Sequence, residues 1–272
     1  MVDIVIPFFN KSELTIQCLS SVISTMTLDC VLIIVDDGSD RDHSEKVLSY
    51  LHERKAVFKF LKKDFNEGFK KAVRAGMRRC ENKYVILLNN DTITTPGFDY
   101  KLTRLLEDFP DIKAVGPVSN HPTDLFQFRP ILKDVKFETV STIDDQDLLW
   151  NDPDHLPGKQ QFTYTPYLTG MCLAIDRFFF ESIGIFDDIY EHGYFEDLDL
   201  CCQIREKGYR LAIAEDCFVF HHGHATYRQK AVEEKHRIIW NNFDRFTDRW
   251  SHISEHNELL LKMEFAGKHD PI

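Results

Sequence analysis

Tyr84-Val-Ile-Leu-Leu-Asn-Asn-Asp91 is a run of five apolar residues that stops in a polar tip. A short run unbroken by polar side chains is the pattern of a strand buried on both faces of a parallel sheet. In open α/β sheets ligands sit beyond the carboxyl ends of the strands, so Asp91 stands where a metal or a phosphate would be held. A strand followed by a plain Asx turn is the competing reading, because Asn and Asp favour turns through local hydrogen bonds. The flanking sequence weighs between the two.

Upstream, residues 2–6 form an apolar strand that ends at Pro7-Phe8-Phe9-Asn10. Residues 11 to about 25 then read as a helix, with Ser12 as N-cap and Leu14, Cys18, Leu19, Val22 and Ile23 on one stripe. A second strand, 30–35, also ends in an acidic tip, Asp36-Asp37-Gly38-Ser39, and is followed by a helix over 43–53 and a strand over 57–61. Asn66-Glu67-Gly68 opens another helix, the quoted strand follows, and a helix over 98–109 comes next. This alternation predicts βαβ units and a largely parallel sheet. The tips of its strands share one edge, so Asp36, Asp37, Asn90 and Asp91 are expected to converge on one ligand. The layout suits a nucleotide but has neither Gly-x-Gly-x-x-Gly nor Gly-Lys-Ser/Thr, which disfavours a dinucleotide-dependent dehydrogenase and a P-loop NTPase.

From 117 to 166 the pattern breaks into polar, aromatic-rich sequence punctuated by proline. It reads either as a surface excursion or as a segment facing an acceptor. Order returns with a strand over 167–175, a short helix over 176–183 and the cluster Glu196-Asp197-Leu198-Asp199. A helix over 198–207 closes at Gly208, strands over 210–214 and 217–220 follow, and the second ends at His221-His222-Gly223-His224. A last amphipathic helix, 229–250, carries Trp240, Phe243, Phe246 and Trp250 as a stripe read as core packing, and the tail from 268 reads as frayed.

A net charge of −11 leaves no excess of Lys and Arg for nucleic-acid phosphates or an acidic membrane surface. No apolar run approaches the ~18 residues of a membrane span, and the opening residues lack the pattern of a secretory signal. Seven cysteines without a Cys-x-x-Cys pair read as reduced, buried thiols of a cytoplasmic protein.

Two clusters carry chemistry. Glu196-Asp197 sits just ahead of a helix start, where the macrodipole favours ionised carboxylates, and a positioned carboxylate can act as a general base. N-terminal helix capping is the bland alternative, and three carboxylates within four positions argue for a compensating cation or ligand. His221 follows an apolar strand, and with Asp91 and the oxygens of a diphosphate it would complete a shell for Mn²⁺ or Mg²⁺. A His-rich zinc site and a structural histidine are the rivals.

Taken in order, Ile-Pro-Phe-Phe-Asn10, Val-Asp-Asp-Gly-Ser39, Asn66-Glu-Gly68, Leu-Asn-Asn-Asp91, Thr-Gly170, Gly-x-Phe-Asp187, Phe-Glu-Asp-Leu-Asp199, Gly-Tyr209, His-His222 and Asn242-x-x-x-Phe246-x-x-x-Trp250 resemble glycosyltransferase family 2. The resemblance runs from residue 2 to about 250. It implies a GT-A fold, a single Rossmann-like, mostly parallel central sheet flanked by helices, with a C-terminal helical segment. It also implies a catalytic domain over 1–224, split into a nucleotide-binding half (1–116) and an acceptor and catalytic half (117–224), with a helical extension over 225–272. The implied activity is inverting transfer from a UDP- or dTDP-linked sugar to a glycan or lipid-linked saccharide, with peripheral contact at the inner face of a membrane. Pro7, Phe9, Asn10, Asp36 and Asp37 would line the nucleoside pocket, one Asp accepting from the base N3–H, and Asn66 and Gly68 would shape its wall. Asn89-x-Asp91 matches the family's Asp-x-Asp with Asn at the first position, which leaves Asp91 as that motif's one carboxylate ligand. Asn90 would touch the ribose or donor sugar, Asp197 (beside Glu196) matches the base, and His221 the metal-ligand histidine. Arg228 and Lys230, by charge and position, would clamp the diphosphate. A sugar-nucleotide nucleotidyltransferase and a non-catalytic sugar-binding module are the alternatives; the first lacks its Gly-rich basic loop after strand one, the second its reason for an intact Asp91, Glu196-Asp197 and His221.

Overall fold

The structure, a computed structural model, describes residues 1–129, 132, 135, 161–191, 194–223 and 232–253. The amino-terminal half runs β1 (Val2–Phe8), α1 (Ser12–Thr25), β2 (Cys30–Asp36), α2 (Arg41–Glu53), β3 (Phe58–Lys62), α3 (Phe69–Met77), β4 (Tyr84–Leu88), β5 (Thr92–Thr94) and α4 (Phe98–Asp108). Then come β6 (Ile112–Val118), a 3₁₀ segment (Pro122–Gln127), β7 (Phe162–Thr165), β8 (Cys172–Asp176), α5 (Arg177–Ile183), α6 (Glu196–Glu206), β9 (Arg210–His221) and α7 (Val232–Arg249).

The sheet order is β3-β2-β1-β4-β8-β6-β9-β5, with β7 on β9. β3, β2, β1 and β4 are parallel, whereas β8 runs antiparallel between β4 and β6. Alternation along each strand sends side chains to two cores. Ile4, Ile6, Leu32, Ile34, Ile86 and Leu88 face α1, α2 and α4, while Val5, Ile33, Val35, Val85 and Leu87 face α3, α5, α6 and α7. β1 pairs through Phe8 with Asp36 and through Val5 with Leu87, so the ends of β2, β1 and β4 lie side by side.

Several expectations shift. The alternation through 109 is interrupted by β5, whose three residues turn back and pair antiparallel with β9, Thr92 opposite His221. The two strands read over 210–220 are one, β9, with an irregular register against β6 near Val118. Only the end of the strand read over 167–175 is extended ladder, Cys172–Asp176. Ser12 is the first helical residue instead of the cap; Lys11 holds the cap position, and the Ser12 hydroxyl meets His43 Nδ1 at 2.8 Å. Pro117 lies within β6, and residues 119–129 fold inward, with Ser119, Asp124 and Gln127 buried, so this part of the stretch is no surface excursion.

The aromatic stripe of α7 divides. Phe246 and Trp250 are buried in the core beneath α6, but Trp240 is 62% exposed, so the core reading fails for that residue. Trp250 Nε1–H donates to Asp199 at 2.7 Å, and the Tyr190 hydroxyl and Gln203 amide donate to the same carboxylate at 2.8 and 2.7 Å. Asp199 is wholly buried, so its charge is compensated by these donors and by Arg249, 3.4 Å away. Replacing Asp199 with Ala is expected to cost roughly 3 kcal/mol or more in urea unfolding, because two buried donors and the half-buried Gln203 amide lose their acceptor. Asp199→Asn should cost less, and a loss below ~1 kcal/mol for Asp199→Ala would refute the anchor.

Candidate active site at the carboxyl edge of the sheet

The tips of β1 and β2 build one wall. Asp36 is fully buried, accepting from the Ser39 amide at 2.7 Å, from the Ser44 hydroxyl and from Lys62 Nζ at 3.2 Å. Asp37 accepts the Gly68 and Glu67 amides at 2.8 and 3.2 Å and pairs with Lys63. Both carboxylates therefore hold protein together: Asp36 shapes its own turn, and Asp37 fastens the 66–68 loop to the sheet. The loop comes so close that a Cβ on Gly38, at φ +81°, would lie 2.3 Å from the carbonyl carbon of Phe65. Asn66 Oδ1 accepts the Gly68 amide at 3.0 Å. Asn10, at φ +51°, donates its amide to Ser39 Oγ at 2.7 Å and accepts from the Asp40 amide at 2.9 Å. Pro7 is buried in β1, and Phe9 stays partly exposed at the rim.

At the tip of β4 the three residues do different things. Asn89 is partly exposed, its amide donating to Met171 O at 2.9 Å. Asn90 is buried and donates from Nδ2 to Thr15 Oγ1 at 2.9 Å, tying the tip to α1. Asp91, 6% exposed, points across to β9: His222 donates its amide to Asp91 O at 2.9 Å, and His221 Nε2 stands 3.4 Å from Asp91 Oδ1. The pairing of β5 with β9 makes this meeting obligatory, since Thr92 opposes His221. Asp36, Asp37 and Asp91 thus share an edge without sharing a job.

His221 is gripped from its other side as well. Its Nδ1 lies 3.0 and 3.1 Å from the two oxygens of Asp124, which is 2% exposed. Asp124 also accepts from the Ser119 hydroxyl, with Thr169 Oγ1 at 3.4 Å. Asn120 clamps the backbone, accepting the His221 amide at 2.8 Å and donating to its carbonyl at 3.2 Å. Burial opposes charge on the imidazole, but the Asp124 and Asp91 carboxylates outweigh it and raise its pKa well above the ordinary histidine range. The two carboxylates thus favour a positive charge on His221 itself. Nearby, Gly223 at φ +69° gives room to His121, whose Nε2 would lie 2.1 Å from a Cβ there.

Glu196 and Asp197 are the first residues of α6, not a pair ahead of it, so their backbone is already helical. Asp197 accepts the Gly170 amide on Oδ2 at 2.8 Å and the Leu198 amide on Oδ1 at 2.9 Å. Burial raises its pKa against the pull of these amides. Glu196 is 6% exposed, and its Oε2 is buried with no hydrogen-bond partner among the described residues. Burial, then the neighbouring Asp197 charge, push its pKa from 4.5 to about 8. Asp199, third member of the carboxylate cluster, is spent on the α7 anchor described above and needs no ligand as its compensation.

Thr169 and Gly170 join the two halves, one reaching Asp124 and the other Asp197. Sequence reasoning singled out Thr-Gly170 but missed Ser119, Asn120 and Asp124, which lie in a stretch without periodicity. Arg228, Lys230 and most of 130–160 lie outside the described residues, as do 224–231 and the tail from 254.

The sequence model described as "Glycosyl transferase family 2" matches residues 3–184, so Asp197 and His221 fall beyond the matched range. Poly-beta-1,6-N-acetyl-D-glucosamine synthase of Staphylococcus epidermidis is 29% identical over 114 residues, 42% of this chain and 26% of the synthase. Teichoic acid poly(glycerol phosphate) polymerase of the same species is 28% identical over 127 residues, 46% of this chain and 17% of the polymerase. The chain thus spans only about a quarter or less of these curated relatives. GalNAc-T7 with UDP, GalNAc and Mn²⁺ superposes with a TM-score of 0.61 at 17% identity, over 81% of this chain and 43% of that one. Mannosyltransferase PcManGT of Pyrobaculum calidifontis, in complex with GDP-Man and Mn²⁺, gives 0.59 at 16%, over 100% and 76%. These likenesses give the fold, an α/β sheet of the GT-A type.

The raised pKa of Glu196 sets a direction for stability. Between 4.5 and about 8 the folded chain keeps a proton that the unfolded chain releases, so this group's contribution is full below about 4.5 and lost as pH rises through about 8. Glu196→Gln should therefore raise Tm relative to the parent more at alkaline than at acid pH, read by calorimetry on both sides of that window. An advantage that does not grow with pH would contradict the buried carboxyl with its unpartnered Oε2.

Proposed function

Because this chain belongs to glycosyltransferase family 2 and is a glycosyltransferase, we propose that it transfers a sugar, with inversion, from a UDP- or dTDP-linked donor to an acceptor hydroxyl. The observation that carries this reading is the contact path from Asp91 through His221, Asp124 and Thr169-Gly170 to Asp197. On this reading the path joins a carboxylate suited to proton removal to a pair suited to the charged leaving group.

Asp197 takes the proton from the acceptor hydroxyl as that oxygen attacks the anomeric carbon from the face opposite the diphosphate. The Gly170 amide fixes the carboxylate, and burial raises its basicity. Glu196, held near neutrality by burial, keeps a second negative charge away from the attacking oxygen. One base suffices for inversion if the leaving group needs no protonation. The donor set supports a divalent cation: a hard carboxylate oxygen at Asp91 and an imidazole nitrogen at His221 suit Mn²⁺ or Mg²⁺, with the donor's phosphates completing the shell. When bound, such an ion neutralises charge on the departing nucleoside diphosphate.

The nucleoside lies against Pro7, Phe9 and Asn10, with the 66–68 loop as its wall. Asp36 and Asp37 act here by fixing that wall, and an Asp oxygen that also accepts a pyrimidine N3–H supports a UDP or dTDP donor. Asn89 and Asn90 border the ribose and donor sugar, and Arg228 and Lys230 close on the diphosphate. The acceptor is a glycan or a lipid-linked saccharide, supported by the polysaccharide named in the poly-beta-1,6-N-acetyl-D-glucosamine synthase relative. Among the described residues no helix is long and apolar enough to cross a membrane; on our reading a lipid-linked acceptor is met by peripheral contact.

Asp197→Asn is expected to lower transfer roughly 10²- to 10⁴-fold while leaving nucleotide-sugar binding, measured by calorimetry, unchanged. Turnover near the parent value would remove Asp197 from the base role. In thermal-shift measurements with Mn²⁺, UDP- and dTDP-sugars should stabilise the protein and GDP-sugars should not; the opposite order would overturn the pyrimidine pocket.

A further inference from the structure

His221 presents two ring nitrogens, and only one can face Asp91. Its Nε2 does so at 3.4 Å, while Nδ1 meets both oxygens of Asp124 at 3.0 and 3.1 Å. A carboxylate can only accept, so the hydrogen of this contact belongs to Nδ1, and a cation bound beside Asp91 would take the Nε2 lone pair in place of any proton Nε2 shares with that carboxylate. Asp124 is itself fixed: 2% exposed, bonded to the Ser119 hydroxyl and within 3.4 Å of Thr169 Oγ1. It sits in the 3₁₀ segment Pro122–Gln127, which His121 caps by accepting the Thr123 amide. Asn120, four residues earlier, holds the His221 backbone through both its amide and its carbonyl. Two contacts from one short segment thus fix the imidazole, one through the main chain and one through the ring.

We propose that Asp124 is the positioning residue of the cation site, holding His221 as the Nδ1–H tautomer with Nε2 aimed at the space shared with Asp91. The proposal rests on reading His221 as a metal ligand and adds the residue that makes it one. A carboxylate behind a ligating histidine fixes ring orientation and raises the donor strength of the far nitrogen. Ser119 and Thr169 act one step further out by aiming Asp124. Through Thr169-Gly170 the same segment touches the main chain that holds Asp197, so ligand and base are set from a common support.

The test is Mn²⁺ binding followed by electron paramagnetic resonance, with and without UDP, for the parent, Asp124→Asn, Asp124→Ala and His221→Gln. Asp124→Asn and Asp124→Ala should weaken Mn²⁺ about 10- to 100-fold, while UDP binding in the presence of a chelator stays as in the parent. If His221→Gln weakens Mn²⁺ but both Asp124 variants bind it like the parent, the positioning role is overturned and the metal reading stands. If His221→Gln also binds like the parent, the metal reading itself falls and takes this proposal with it. A second measurement needs no variant: long-range ¹H–¹⁵N spectra of histidine-labelled parent protein with Mg²⁺ and UDP. A proton on Nδ1 and none on Nε2 of His221 is expected, and the reverse tautomer overturns the proposal.

Discussion

The pairing of three residues, Thr92–Thr94, with the end of β9 is the constraint on which the site depends. A parallel βαβ frame brings strand ends to one edge but does not aim them at each other. Here the chain leaves β4, turns through Asn89-Asn90-Asp91 and runs back against β9, so Thr92 faces His221 and the Asp91 carbonyl takes the His222 amide. Main-chain hydrogen bonds therefore dictate that a carboxylate and an imidazole 130 positions apart in sequence become neighbours. Side-chain chemistry then works at a separation the backbone has already fixed.

Charge within the site is distributed with the same economy. Asp91 and Asp124 flank one imidazole and favour a cation there, whereas Glu196 and Asp197 sit at a helix start where burial resists ionisation. Carboxylates in the first group are met by donors or positive charge. At Glu196, where Oε2 has no hydrogen-bond partner among the described residues, burial and the Asp197 charge outweigh its backbone hydrogen bond and Lys70 and favour the proton. One chain of contacts runs between the two environments, from His221 through Asp124 and Thr169-Gly170 to Asp197.

Much of this was legible in the sequence, for reasons that can be named. Buried parallel strands announce themselves as apolar runs, and the ends of β2 and β4 carry the Asp and Asn that mark the working edge. Family resemblance placed Asp91, Asp197 and His221 as candidates, and the fold brings the first and last together. β5 was not legible, because Thr-Ile-Thr, though β-branched, is too short to read as a strand and exists by pairing with β9. Asp124 was not legible either: its partner lies 97 positions away, and a lone acid among prolines and aromatics looks like loop. Asp199 shows the converse failure, since a carboxylate that anchors a helix has the same letter as one that awaits a ligand.

Asn242 is wholly buried on α7, accepting the Glu191 amide at 2.9 Å and donating to the carbonyls of Glu191 and Tyr194 at 2.9 and 3.2 Å. It does for the segment before α6 what a neighbouring strand does elsewhere in the sheet. Together with the Trp250–Asp199 bond it makes α6 and α7 one cooperative unit in the sense of local unfolding. An opening that undocks α7 strips the loop of its main-chain partners and exposes Asp199 in the same event. Amide exchange in α6 and α7 should therefore share one opening free energy, in two helices that both lie beyond the matched family range.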